Sequence, residues 1–286
     1  MLHWGGMSPS NIPPAVELGR ADIIEISGAD AAAFAHAQLT SDVASLADGR
    51  WQWSAWLSAQ GRARCVFVLL RVASDRLLLW LPLGGAAPIR DALARFVLRS
   101  KVVVRVLDGW SLADVSRSGS ARDREIVADE GGYAFAQPGS RIARIAPAGA
   151  PHADANALES WRLADIAAGL PWIDPSLDDT FVPQALALER IDAIRFDKGC
   201  YPGQEIAARL HFRGGNKRHL KRLRWSGDAP VAGTRLALTH SESGVVLYAA
   251  RAGAEIVEAL AVTGESSSAN AASTVDGPRI ETVEFA

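Results

Sequence analysis

The chain carries two cysteines among 286 residues, and one of them stands where a thiol could do chemistry. Cys200 lies within Lys198-Gly199-Cys200-Tyr201-Pro202-Gly203-Gln204-Glu205, a turn punctuated by glycine and proline with a lysine beside the thiol. Ile206, Ala207 and Leu210 follow, interleaved with Arg209 and Arg213. That pattern predicts an amphipathic helix, with Pro202 suited to its first turn, where a missing N–H costs nothing. Cys200 would then stand just before a helix N-terminus, whose partial positive charge favours a thiolate, and the Lys198 ammonium would push the same way. Such settings bring a cysteine from about 8.5 to roughly 3.5–7.5. Gln204 and Glu205 are placed to bond free N–H groups of the helix start. The competing reading makes Cys200 a small apolar side chain packed under a loop.

Other chemistries lack their residues. The six histidines show no HxxxH or HExxH spacing, and there is no Walker loop and no nucleophile elbow. Gly214-Gly215-Asn216-Lys217 lacks the Ser or Thr that a phosphate loop places on magnesium, so it reads as a turn. Two cysteines without CxxC imply neither a disulfide framework nor a permanently bound metal or cluster. Residues 1–20 show no basic start followed by an apolar run, and Val66 to Leu83 is broken by Arg71, Asp75 and Arg76, so neither a secretory signal nor a membrane span is expected. These features fit a reducing cytoplasm. Apolar residues make up 49% and charged residues 22%, an ordinary globular composition of two or three domains. A net charge of -2 gives no global pull toward nucleic acid or membrane. The nine tryptophans read mostly as core, with some available as stacking surfaces.

The elements that would position these residues follow from periodicity. Ile23 to Ile26 reads as a strand, and Asp30 as the cap of a helix Ala31 to Leu39. Trp51 to Ser58, Ala63 to Val72 and Arg76 to Leu81 are β-rich runs joined at Gly61 and Ser74-Asp75. Pro88 opens a helix Ile89 to Leu98, and Lys101 to Leu107 is a further strand. This order suggests an α+β sandwich with an antiparallel sheet. Ser111 to Arg144 is less periodic, with strand-like pieces near Tyr133-Ala134-Phe135. Pro147 to Pro151 reads as a loop, Ala157 to Ala168 as a helix and Leu186 to Ile194 as a short helix. From Leu220 onward come strands at Leu220–Trp225, Arg235–Thr239, Gly244–Ala249, Glu258–Val262 and Arg279–Val283, with a polar loop from Glu265 to Thr274. That pattern suits a small β-barrel or sandwich.

Lys198-Gly199-Cys200-Tyr201-x-Gly203-Gln204-Glu205 resembles the signature of the YgfZ family, folate-binding relatives of the glycine-cleavage aminomethyltransferases. Phe181-Val182-Pro183-Gln184 upstream and Phe212-Arg213-Gly214-Gly215-Asn216-Lys217-Arg218 downstream match its style and spacing. So do Ile26 to Asp30, Gln38 to Val43 and Gln60-Gly61-Arg62, and the likeness runs from about Asp22 to the C-terminal strands.

The resemblance implies an aminomethyltransferase-like α+β fold: a ring of three parts around a central hole holding folate. On that plan, residues 1–48 and 110–212 form a bipartite folate-binding domain, 49–109 an inserted ferredoxin-like part and 213–286 a small C-terminal β-barrel. It implies tetrahydrofolate or a derivative as ligand, with Trp161 beside it. A second folate-side tryptophan of the family falls on Ala21 here, and the pterin-binding glutamate of the aminomethyltransferases on Ala167, leaving Asp165 one turn earlier as a substitute. Cys65 and Val66 stand where those enzymes carry a catalytic aspartate. Neither moves a proton as a carboxylate does.

The resemblance thus implies a folate-binding accessory protein supporting iron–sulfur cluster assembly or repair, and through it iron–sulfur tRNA-modifying enzymes. Cys200 would be the functional thiol and Lys198 its activator. Its partners would be iron–sulfur enzymes or assembly proteins and folate, with no membrane and RNA only indirectly. A folate-dependent aminomethyl transferase is the enzymatic alternative. A direct RNA-binding module is the other, resting on Arg209 to Arg224. In that run Arg209, Arg213, Lys217, Arg218, Lys221, Arg222 and Arg224 are joined by His211 and His219 without an intervening acid. Its readings are a solvated helix face with an exposed edge strand, or an anion site. As an anion site, Arg209, Arg213, Lys217 and Arg218 would meet the folate polyglutamate tail, RNA phosphates or an acidic partner.

Overall fold

The apolar run Cys65 to Leu70 is too long and too continuous for a strand with one wet face, and both of its faces are covered. Val66, Val68 and Leu70 enter one hydrophobic core, while Cys65, Phe67 and Leu69 enter a second. This is the two-residue alternation of a strand between two packed layers. The computed structural model describes residues 15–116, 123–129, 131–148, 153–239, 242–265 and 280–286.

The chain begins with β1 (Val16–Arg20), β2 (Asp22–Ser27) and α1 (Ala31–Gln38). β3 (Arg50–Leu57), β4 (Ala63–Ala73), β5 (Arg76–Leu81), α2 (Ala86–Ala94) and β6 (Val103–Val106) follow. Five of these strands form an antiparallel sheet in the order β3-β4-β5-β2-β6, covered on the Cys65 side by Phe34 and Ala35 of α1 and Ile89 and Leu93 of α2. β2 pairs with both β5 and β6, so sheet pairing crosses the 48/49 division expected from the family. Two local expectations are corrected. Asp30 precedes α1, but its carboxylate accepts the Lys101 N–H (2.7 Å) and does not cap the helix. α2 starts before Pro88 and stops at Ala94, so Phe96 and Leu98 lie beyond it and are exposed.

The weakly periodic stretch contains β7 (Trp110–Asp114), β8 (Ile126–Asp129), β9 (Gly132–Gln137) and β10 (Arg141–Pro147). With β1 they make a second antiparallel sheet, β1-β7-β10-β9-β8. α3 (Ala155–Ala167) follows, then irregular backbone with short 3-10 turns at Pro175–Leu177 and Leu188–Ile191, and α4 (Gln204–Arg213).

The last sheet orders β12 (Arg235–Ala237), β13 (Glu242–Arg251), β14 (Ile256–Glu265), β11 (Arg218–Ser226) and β15 (Glu281–Val283). Among the described residues it is an open sheet with β12 and β15 as its edges, and no closed barrel forms among them. The loop expected around 149–151, most of the polar loop 265–274 and Arg279 lie outside the described residues. One core joins all three sheets: Val66 and Trp80 meet Leu112 and Phe135, Trp161 and Trp172, and Leu247 and Tyr248. No helix among the described residues is long and apolar enough to cross a membrane.

Candidate functional site

Two glycines bring the octapeptide to the β3–β4 hairpin. The hairpin turns through a Ser58 N–H to Arg62 O bond (2.8 Å) and a Gly61 N–H to Ser58 O bond (2.9 Å), with Gly61 at φ +73°. Gly203 adopts φ +74° at the N-cap position of α4, a left-handed conformation that glycine alone reaches without strain. A Cβ on Gly203 would stand 2.3 Å from Ser58 O and 2.7 Å from Gly61 Cα, and one on Gly61 would stand 2.8 Å from Ile206 Cβ. The motifs at 60–62 and 198–205 therefore pack backbone to backbone.

The third motif, Gln38 to Val43, braces the other side. The Thr40 hydroxyl donates to Ala193 O (2.6 Å) and accepts the Ala55 N–H (2.9 Å), and the Arg195 N–H donates to Thr40 O (2.9 Å). The Lys198 ammonium donates to His36 O (2.5 Å), Leu39 O (2.6 Å) and Ser41 O (3.0 Å), capping the end of α1. These contacts use all three of its donors. Burial draws Lys198 down to about 8, against the pull of Asp42. The ammonium expected to serve the Cys200 thiol thus makes its hydrogen bonds to three backbone carbonyls.

Tyr201 is buried under the loop, with its hydroxyl donating to Arg195 O (3.0 Å), its ring 5.1 Å from Lys198 Nζ, and its phenol pushed upward by burial. Gln204 donates to the Lys198 carbonyl (3.5 Å), and Glu205 is exposed in the first turn of α4; neither replaces the N-cap bond that Gly203 lacks. Pro202 stands outside the helix. Between these anchors Cys200 is exposed.

His36 was not singled out by sequence reasoning, because a lone histidine in an alanine-rich helix has no spacing to notice. Its Nδ1 accepts the Ala44 N–H (3.2 Å) and lies 3.4 Å from Asp42 Oδ1. Its Nε2 is 3.4 Å from the position of a Cβ on Gly199, next to Cys200. An Nδ1 that accepts leaves the ring proton on Nε2, the side facing the octapeptide. Burial, then the Lys198 charge, lowers the imidazole, and Asp42 opposes them.

Trp161 and Asp165 belong to a different environment. Trp161 is buried, with the Arg141 guanidinium 4.4 Å from its ring centre. Asp165 is 3% exposed; Oδ1 pairs with Arg141 Nη2 (2.8 Å), and Oδ2 accepts the Trp172 indole N–H (2.9 Å). Burial pushes its carboxyl up, and Arg141 pulls it back in part. Trp172 takes one oxygen by a hydrogen bond, while the other has the Arg141 charge beside it but no well-formed hydrogen bond, so one buried carboxylate oxygen is left without a hydrogen-bond partner. Ala21 is buried in the same core.

The tRNA-modifying protein YgfZ of Escherichia coli O45:K1 is 30% identical to this chain over 256 residues, covering 79% of this chain and 78% of that protein. This chain belongs to the YgfZ family. An uncharacterised protein of Haemophilus influenzae is 33% identical over 207 residues, covering 71% of this chain and 70% of that protein. The glycine cleavage system aminomethyltransferase T of Bartonella henselae shares the fold, with a TM-score of 0.61 over 88% of this chain and 84% of that one at 15% identity. No protein-family model matches the chain.

On this YgfZ-family chain, the positions expected to have replaced the aminomethyltransferase acid are both interior. Val66 packs in the central core, and Cys65 is buried, its thiol pushed up to about 12 by desolvation. The basic run divides. Arg222 (2.8 Å) and Arg224 both pair with buried Glu258, Lys221 pairs with Glu242 (2.7 Å), and Lys217 lies 3.9 Å from Glu265. Arg209, Arg213 and Arg218 are exposed without an ion-pair partner among the described residues.

Proposed function

We propose that the chain is a folate-binding accessory protein that supports iron–sulfur cluster assembly or repair, and through it iron–sulfur tRNA-modifying enzymes. The observation that carries this reading is the exposed Cys200, held between the Lys198 clamp, the Tyr201 anchor and the Gly61–Gly203 contact. A thiol presented this way can lose its proton to solvent and lend a sulfur lone pair to a cluster iron in a partner. The bond reverses when the partner's own ligand returns. Membership in a family whose members are named tRNA-modifying proteins supports the same direction.

Tetrahydrofolate would bind beside Trp161 and the aminomethyltransferase-like core, where the rings can supply a flat apolar wall. Arg141 already covers one side of the Trp161 ring, so a pterin would meet a partly occupied surface. Aminomethyl transfer is disfavoured, because Cys65 and Val66 offer no group able to move a proton.

The test has two arms. Cys200→Ser, expressed in cells lacking the native protein, loses support of iron–sulfur tRNA-modifying enzymes while the purified variant unfolds like the parent. Full complementation rejects the thiol. Tetrahydrofolate titration quenches tryptophan fluorescence, and Trp161→Ala weakens binding by about 1–3 kcal/mol on the scale of base–aromatic stacking. No calorimetric heat at millimolar folate rejects the ligand.

A further inference from the structure

We propose that the cleft bordered by Arg50, Arg124 and Trp51 is a binding site for an oxyanion, carboxylate or phosphate, carried by a small ligand. The cleft has a volume of about 400 Å³, and Asp42, Asp192 and Arg195 complete its charged rim.

Arg124 is built into the wall of this cleft. The 124–126 segment pairs with the start of β3 through a Trp51 N–H to Arg124 O bond (3.0 Å), an Arg50–Glu125 bridge and an Ile126 N–H to Gly49 O bond (2.8 Å). Its backbone sits at φ +59°, a conformation that a side-chain-bearing residue holds only when its surroundings enforce it. The guanidinium lies 4.6 Å from the Trp51 ring centre and 4.2 Å from that of Trp53, and the two indoles meet edge to face at 5.1 Å. The indoles hold the guanidinium in place by cation–π contact. Among the described residues its N–H groups make no side-chain hydrogen bond, which leaves donors for a planar anion.

The charge there is poorly balanced. Two acids favour the Arg124 cation, Asp123 at 3.9 Å on a side chain 92% exposed and Asp192 on a side chain 73% exposed, and water screens both. Burial lowers Arg124 most, Asp123 and Asp192 oppose it, and Arg50, which has no ion-pair partner among the described residues, adds a smaller push downward. The other charges on the rim have partners. Asp42 accepts the Ala44 (3.1 Å) and Ser45 (3.3 Å) N–H groups and faces His36, while Arg195 pairs with Asp197 (3.2 Å) and, at 3.9 Å, with Asp192. The Trp51 indole N–H is buried without an acceptor. An oxyanion between Arg50 and Arg124 would give both guanidinium groups a charged acceptor that the screened acids on the rim do not.

The cleft also adjoins the octapeptide. Arg195 bonds Thr40 through its N–H and Tyr201 through its carbonyl, so a ligand here would share a wall with the Cys200 loop. Two sources carry the required group: a glutamyl chain such as the tail of a folate, and a phosphate such as that of a nucleotide. The assignment needs the anion alone and does not rest on folate binding.

The full-length chain is titrated by calorimetry with inorganic phosphate, a tri-γ-glutamate peptide and tetrahydrofolate, with thermal melting as a fold control. At least one anion probe binds the parent, and binding weakens at least about tenfold in Arg124→Gln and in Arg50→Gln. Arg50→Gln leaves the tryptophan stack intact, so it decides the matter if Arg124→Gln melts early. Arg209→Gln binds like the parent. Binding of the peptide without phosphate assigns a carboxylate, and the reverse assigns a phosphate. Failure of both probes, or parent-like binding by Arg50→Gln, overturns the site. Arginine-dependent anion binding without tetrahydrofolate binding keeps the site and rejects the folate reading. Tetrahydrofolate binding indifferent to both arginines rejects the site and keeps that reading.

Discussion

The octapeptide loop and the Trp161–Asp165 face of α3 both carry an ionisable side chain that the family resemblance assigned to function, and the fold treats them in opposite ways. In the loop, Lys198 turns inward onto three carbonyls and Cys200 is left in solvent. On α3, the acid and the indole are both interior, Asp165 fixed by Arg141 and Trp172 and the Trp161 ring faced by the same arginine. The loop uses its charge to fasten itself to the end of α1 beside an exposed thiol, whereas α3 uses its charge to join β10 to the core. A charged residue in a motif is therefore as readily a fastener as a reagent, and the partner of its charge decides which.

The largest expected effect separates the two thiols. At neutral pH iodoacetamide labels Cys200 at least about 10³-fold faster than Cys65, because alkylation needs an accessible thiolate and Cys65 is buried with its thiol near 12. In denaturant the two rates converge. Comparable labelling of the folded chain, read by mass spectrometry, would break the comparison.

Next comes Asp165→Asn, which leaves Arg141 buried without its counter-charge and lowers stability by about 3–5 kcal/mol in urea unfolding. An Asp165→Leu, Arg141→Met double variant recovers most of that loss. A cost below about 1 kcal/mol for Asp165→Asn would show the pair to be wet and available to a ligand.

Gly203→Ala places a methyl against Ser58 O and in a left-handed backbone, and costs about 3 kcal/mol. Lys198→Met leaves the α1 carbonyls without donors and costs about 1–3 kcal/mol. It changes the Cys200 labelling rate less than about threefold, since the ammonium acts on carbonyls. A tenfold slowing without loss of stability would restore the activator role.

The smallest effect, over a single pH unit above about 9, is a slope. Burial makes Cys65 hold its proton to about 12 in the folded chain against 9.0 for an ordinary thiol, so the native state binds more protons between those values. The stability associated with the neutral thiol is present below about pH 9 and falls as pH rises, by up to about 1.4 kcal/mol per pH unit. Tyr201 and Tyr248 shift in the same direction and add to the fall above about 10. Cys65→Val flattens the pH 9–10 limb, and an unchanged limb in that variant would place the titration elsewhere.

Much of this comparison was legible before the structure. The β3–β4–β5 run and α3 follow from hydrophobic period and turn residues, and they appear within a few residues of expectation. The four strands from Trp110 to Pro147 were not legible as a set. β8 and β9 are short, and β9 opens on glycine, so their strand character comes from pairing with β10 and β7. The open last sheet likewise depends on which edges meet.

By itself the sequence determined the local facts: a glycine-bounded loop with one thiol, a helix after it, a buried apolar hairpin, and the motifs by which the family is recognised. Those rest on residue type, period and steric permission, which act over a few neighbours. Tertiary structure decided where the charges went. Lys198 reaches His36 O from far along the chain, Glu258 gathers Arg222 and Arg224 out of a run that reads as an unbroken basic patch, and Gly199 meets His36. A charge selects its partner by distance and desolvation, and both exist only once the chain has folded.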